Sequence, residues 1–112
     1  MTTDAREEAE RQLDRIRRDF EARLDGMIEE IACAWHAARA ATDQVAATKS
    51  LIARVHRLAG NAGFFGLTKI SRNASELEQA LERIIERPDD ACVLDLDRLV
   101  RTLQMHSASS RS

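Results

Sequence analysis

Apolar residues recur along this chain at spacings of three and four, the repeat that lines up side chains on one side of an α-helix. The first run is Ala9, Leu13, Ile16, Phe20, Leu24, Met27, Ile31, Ala34 and Ala38. Asp25-Gly26 interrupts it without shifting its phase, which allows one kinked helix or, the preferred reading, a leading helix over residues 1–25 and a second helix beginning near Met27. Ala41-Thr42-Asp43-Gln44 supplies capping residues ahead of a helix over about 44–64, whose stripe is Leu51, Val55, Leu58, Ala62 and Phe65. After a turn at Gly66, the stripe Leu67, Ile70, Ala74, Leu77, Leu81 and Ile84 predicts another helix. It stops at Arg87-Pro88, because the residue before a proline is pushed out of helical geometry. Asp89 and Asp90 are placed to cap a last helix carrying Val93, Leu96, Leu99, Val100 and Leu103, and a flexible serine-rich tail follows over 107–112.

None of these helices can bury its stripe alone, so the pattern predicts an all-α chain. Its expected form is an antiparallel up-down-up-down four-helix bundle over 26–106, with the additional N-terminal helix left over. That helix either caps one end of the bundle or pairs with a second copy; small Ala9 and the mixed charges around it favour the cap, and a bundle that closes its own core favours a monomer, with a dimer through the N-terminal helix as the alternative.

Composition agrees with a single small helical domain: 112 residues, 44% hydrophobic, 4% aromatic, one proline. Nineteen acidic against seventeen basic residues leave a net charge of -2, too small a field to favour nucleic acid or an anionic membrane. No stretch approaches the roughly 20 apolar residues of a spanning helix. The polar, acidic start at Met1–Glu10 is unlike a signal peptide, so a cytoplasmic location is expected. Cys33 and Cys92 stand isolated in apolar helical contexts and read as buried free thiols.

The candidate chemistry lies in the run Val55-His56-Arg57-Leu58-Ala59-Gly60-Asn61-Ala62-Gly63-Phe64-Phe65-Gly66. At about 100° per residue, His56 falls well away from the buried stripe, on a strip shared with Lys49, Ile52, Ala53, Gly60 and Gly63. Glycine inside a helix costs roughly 1 kcal/mol relative to alanine, so two of them need a reason. Close helix packing is one. Clearance over the imidazole, letting another protein's active site close on it, is the other, and Gly60, mid-pattern on the His56 side, fits that reading. Gly66 reads as a helix-end signal. The patch formed by Ile52, Ala53, Ala59, Gly60 and Gly63, ringed by Lys49 and Arg57, is a candidate docking surface. Neutral imidazole is a good nitrogen nucleophile near pH 7, and the sequence around His56 gives it no carboxylate partner.

With the bundle in view, His56, Leu58, Gly60, Ala62 and Gly66, in the arrangement His-x-Leu-x-Gly-x-Ala-x-x-x-Gly and followed by the helix with its Leu77-Glu78 pair, resemble the motif of histidine-containing phosphotransfer (HPt) domains of two-component phosphorelays. The resemblance covers about residues 26–106. It implies a stoichiometric phosphocarrier. His56 would be the phosphoacceptor, exchanging its phosphoryl group with an aspartate of response-regulator receiver domains downstream of a histidine kinase. Mg²⁺ would sit on the receiver, with no cofactor on this chain. Family members often carry a lysine three residues after the histidine; here that place is Ala59, and Lys49, Arg57 and Lys69 are the candidate substitutes for the phosphate contact.

A GxxxxGK[ST] phosphate loop is absent, so no ATP site or autonomous kinase activity is expected. Two rival readings differ in class. One is an adaptor bundle, with His56 as an ordinary surface residue. The other recruits two of His36, His56 and His106 as haem or metal ligands, although the Glu-x-x-His signature of bundle metal sites is missing, and no metal site is expected.

Overall fold

Burying several apolar stripes at once requires the helices to face a common axis, and the chain does so. The computed structural model describes residues 2–87 and 90–106. They form α1 (Thr2–Ala40), α2 (Gln44–Phe64), α3 (Thr68–Glu86) and α4 (Asp90–Gln104). Helix α1 packs on α2, α2 on α3, α3 on α4, and α4 returns to α1. The shared core is filled by Leu24, Ile28, Leu51, Leu58, Leu77, Leu81, Leu96 and Leu103, each almost wholly excluded from water. Fully burying such a side chain is worth about 1.5–3 kcal/mol. Along the α1/α4 seam, numbers rise on one helix as they fall on the other: Glu29 meets Gln104, and Trp35 meets Asp97. The Trp35 indole donates to Asp97 at 2.7 Å, and Arg39 reaches the same carboxylate at 3.3 Å, so the polar edge of this large core residue is satisfied. No helix among the described residues is long and apolar enough to cross a membrane.

Three sequence expectations are corrected here. Helix α1 is a single helix of 39 residues, not a leading helix and a second one. Leu24 and Ile28, on either side of Asp25-Gly26, are both in the core at 0% and 1% exposure, and a break between them would pull one out. That loss exceeds the roughly 1 kcal/mol a helical glycine costs. Nor does the leading segment cap the bundle. Residues 4–19 are exposed throughout, and burial begins at Phe20, whose ring packs 5.1 Å from that of Phe65. Finally, Cys33 is free but exposed, because the buried face of this part of α1 runs through Ile28, Ile31, Ala32, Trp35 and Ala38. The burial of Cys92, the stop at Pro88, the cap at Asp89 and the tail over 107–112 lie outside the described residues or side chains.

Both ends of α2 are set by local chemistry. At its start the Asp43 side chain accepts a hydrogen bond from the Ala46 N–H at 3.1 Å, an N-cap that satisfies a donor with no intrahelical partner. At its end the Leu67 N–H reaches back to the Ala62 carbonyl at 2.8 Å and the Gly66 N–H to the Gly63 carbonyl at 3.1 Å. This pair of bonds is the Schellman pattern, and it requires a left-handed residue, supplied by Gly66 at φ 78. Left-handed backbone costs a residue with a Cβ roughly 1–2 kcal/mol. Gly66→Ala should therefore lower the free energy of unfolding by about that amount while helix content stays unchanged, as read by urea denaturation followed by circular dichroism.

Candidate functional site

Helix α2 enters the core through Leu51, Val55, Leu58 and Ala62, all at 1% exposure or less. With that face fixed, residue 56 must turn outward. The His56 side chain is 73% exposed, on the side of α2 that faces α3. There the structure adds what the sequence did not reveal. His56 Nδ1 lies 2.9 Å from Oε2 of Glu78, a carboxylate on α3 whose side chain is only 20% exposed. The expectation of an imidazole without a carboxylate partner is thus corrected. An ionised carboxylate only accepts hydrogen bonds. The matching tautomer of neutral His56 therefore carries its proton on Nδ1, donates it to Glu78, and leaves the Nε2 lone pair facing solvent.

The surface beside the imidazole is low. A Cβ added at Gly60 would meet nothing within 4 Å among the described residues, so none of them requires a glycine there. Gly63 has an internal reason: a Cβ would lie 3.1 Å from the Ser71 hydroxyl. Its lack of a side chain lets α3 come close enough for Ser71 to donate a hydrogen bond to the Ala59 carbonyl at 2.8 Å. Gly63 is nonetheless exposed, on the strip expected of it.

The same close approach overturns the placement of Ala59 in the open patch, since it is 8% exposed and belongs to the core. Ile52 is half-buried, and Lys49, Ala53 and Arg57 are exposed. Arg57 turns toward α1 instead of α3, lining an open pocket of about 230 Å³ with Arg23 and Arg54. Lys69 is exposed near the start of α3, and Glu78 lies nine residues further along, about 14 Å of helix. Among the described residues, no lysine or arginine makes a hydrogen bond or ion pair with His56; the group brought to it is anionic.

The other histidines go elsewhere. His36 is exposed on α1, and His106 Nε2 lies 2.6 Å from the Asn73 amide. Among the described residues, no cluster of three or more His, Cys, Asp or Glu side chains is arranged to hold a metal ion.

Beside the outward histidine and the open glycine of α2 and the carboxylate that α3 brings to them, the chain matches a family model. The model of the Hpt domain matches residues 1–108. The chain belongs to the Hpt domain family. No curated protein and no solved structure matches it. Hpt domains serve phosphorelays by histidine phosphotransfer, as phosphocarriers instead of catalytic enzymes, and work with kinases and response regulators. In this Hpt domain the matched span includes the whole leading half of α1, which the motif resemblance had left out.

Glu78 was reachable in principle. The turn at residues 65–67 folds α3 back on α2, so counting ten residues back from Gly66 to His56 and ten forward leads to the turn of α3 holding Glu78. Its position beside buried Leu77, at the edge of the α3 stripe, then selects it. If Glu78 sets the tautomer, ¹⁵N spectra of the native protein should show His56 protonated at Nδ1, and Glu78→Ala should give a mixture of the two tautomers. An unchanged spectrum would remove Glu78 from that role.

Proposed function

We propose that His56 is the phosphoacceptor of this Hpt domain and exchanges a phosphoryl group with the aspartate of response-regulator receiver domains. The observation that carries the reading is a largely exposed imidazole whose Nδ1 is held by Glu78. Nε2 attacks the phosphorus of a receiver's aspartyl phosphate in line with the departing carboxylate. The phosphorus–nitrogen bond forms as the phosphorus–oxygen bond breaks, and the electron pair leaves on the aspartate. The ring gains positive character as its lone pair is used, and the Glu78 carboxylate on the Nδ1–H offsets that charge. No base has to remove a proton from the attacking nitrogen. The reverse step hands the phosphoryl group to a second receiver.

Phosphoryl transfer needs charge neutralisation at the equatorial oxygens. Among the described residues no cation contacts His56, and on this reading the receiver supplies Mg²⁺ and a lysine while the Hpt domain supplies position. Lys49 lies seven residues before His56 on α2, about 10 Å along the axis, and is placed to meet a receiver's surface more than the phosphoryl group. The docking face consists of Ile52, Ala53, Gly60 and Gly63 with Lys49 and Arg57 at its rim. The bundle carrying it is up-down-up-down, supported by the opposed numbering of Glu29–Gln104 and Trp35–Asp97 across α1/α4 and of His56–Glu78 and Ala59–Ser71 across α2/α3. The chain acts as a cytoplasmic carrier without an ATP site of its own.

The deciding experiment offers phosphorylated receivers, with Mg²⁺, to the purified protein. Wild type should take up an acid-labile label, and His56→Gln should take up none while keeping its circular dichroism and melting temperature. A folded wild type that accepts nothing from a wide receiver panel would favour the adaptor reading instead. Gly60→Leu adds bulk where the molecule has open space, so the bundle should stay folded while transfer slows by at least an order of magnitude. Native transfer rates in the folded variant would count against the docking face.

A further inference from the structure

Among the described residues, nothing packs on the first half of α1. Residues 4–19 are all exposed, although Leu13 and Ile16 continue the stripe that enters the core one turn later at Phe20. They keep 49% and 54% of their surface in water. Its charges are sorted along its length. Asp4, Glu7, Glu8 and Glu10 stand against Arg6 alone over residues 4–10, a net charge of -3; Arg11, Arg15, Arg17 and Arg18 stand against Asp14 alone over 11–18, a net charge of +3. Ion pairs within the arm are local, Arg11–Glu8 at 3.1 Å and Arg17–Glu21 at 3.7 Å. Among the described residues, Glu7, Glu10, Arg15 and Arg18 make no ion pair.

We propose that this arm pairs antiparallel with the same arm of a second copy of the chain. A segment negative at one end and positive at the other is complementary to itself only when reversed: each acidic half then lies along a basic half, with Glu7 level with Arg18 and Glu10 with Arg15, the two Leu13 side chains meet at the centre of the seam, and each Ile16 lies level with Ala9 of the other copy. A parallel, in-register pair would instead set like charges side by side. Two turns of exposed apolar stripe give a small interface, in the class that buries under about 1,200 Å² and binds weakly. One cost of a short helical pair is already met, because α1 is nucleated by the bundle and its arm need not begin a helix on its own. His56 points toward α3, away from the arm, so the pair leaves both imidazoles open.

Sedimentation of the full chain over a concentration series tests this. A dimer should form as concentration rises. It should weaken between about 0.1 M and about 1 M NaCl, as the screening length falls from about 10 Å to about 3 Å. Leu13→Asp with Ile16→Asp should abolish it without changing helix content or melting temperature, since neither side chain is in the core. Arg15→Glu with Arg18→Glu should also be monomeric alone, and should pair when mixed with a Glu7→Lys, Glu10→Lys partner. A chain that stays monomeric at the highest concentration overturns the proposal and leaves the arm to a different protein. So does a dimer indifferent to Leu13 and Ile16, and one that tightens with salt excludes the antiparallel arrangement.

Discussion

The site depends on the rotational phase of α2. Leu51, Val55, Leu58 and Ala62 are packed to near-zero exposure between the neighbouring helices, and turning α2 by a single residue position would expose some of them. Each such side chain is worth a few kcal/mol against a total stability of order 5–15 kcal/mol, so the phase is tightly held. His56 inherits its direction from that packing. Its exposure is imposed by four buried neighbours on its own helix and requires no special arrangement of its own.

The depth of α3 against α2 is the second constraint, and it rests on smaller groups. Gly63 removes the atom that would hold Ser71 off, and the Ser71 hydroxyl then reaches the Ala59 carbonyl. The Schellman turn at Gly66 fixes where α3 starts. Together they set Glu78 level with His56, so two glycines with no chemistry of their own determine which carboxylate meets the imidazole. Gly60 is different in kind. It lies beside open space, and no described residue accounts for it.

Features local to one helix were legible in the sequence. The bounds of α2, an N-cap within residues 41–44, the outward direction of His56 and the openness at Gly60 all follow from periodicity and capping within some twenty residues. Features set between helices were not. Glu78 needs the register of α3 on α2, and Ala59 was assigned to the surface because the close approach of α3 widens the buried face beyond the stripe. The break expected in α1 failed for a related reason: Asp25-Gly26 is a plausible local stop, but the core on both sides spans it. The arm was legible as apolar and helical, while its bareness required knowing where the bundle ends.

The blankness of the surface at Gly60 bears on selectivity. A face without side chains offers no hydrogen-bond donor, acceptor or shaped knob with which to tell one visiting protein from another. If His56 is the phosphoacceptor proposed above, discrimination would come from the margin, from groups such as Lys49, Ile52 and Arg57. Reactivity and partner choice would then be carried by separate sets of residues, and substitutions at the margin would redirect the chain to a new partner while the nitrogen at its centre works as before.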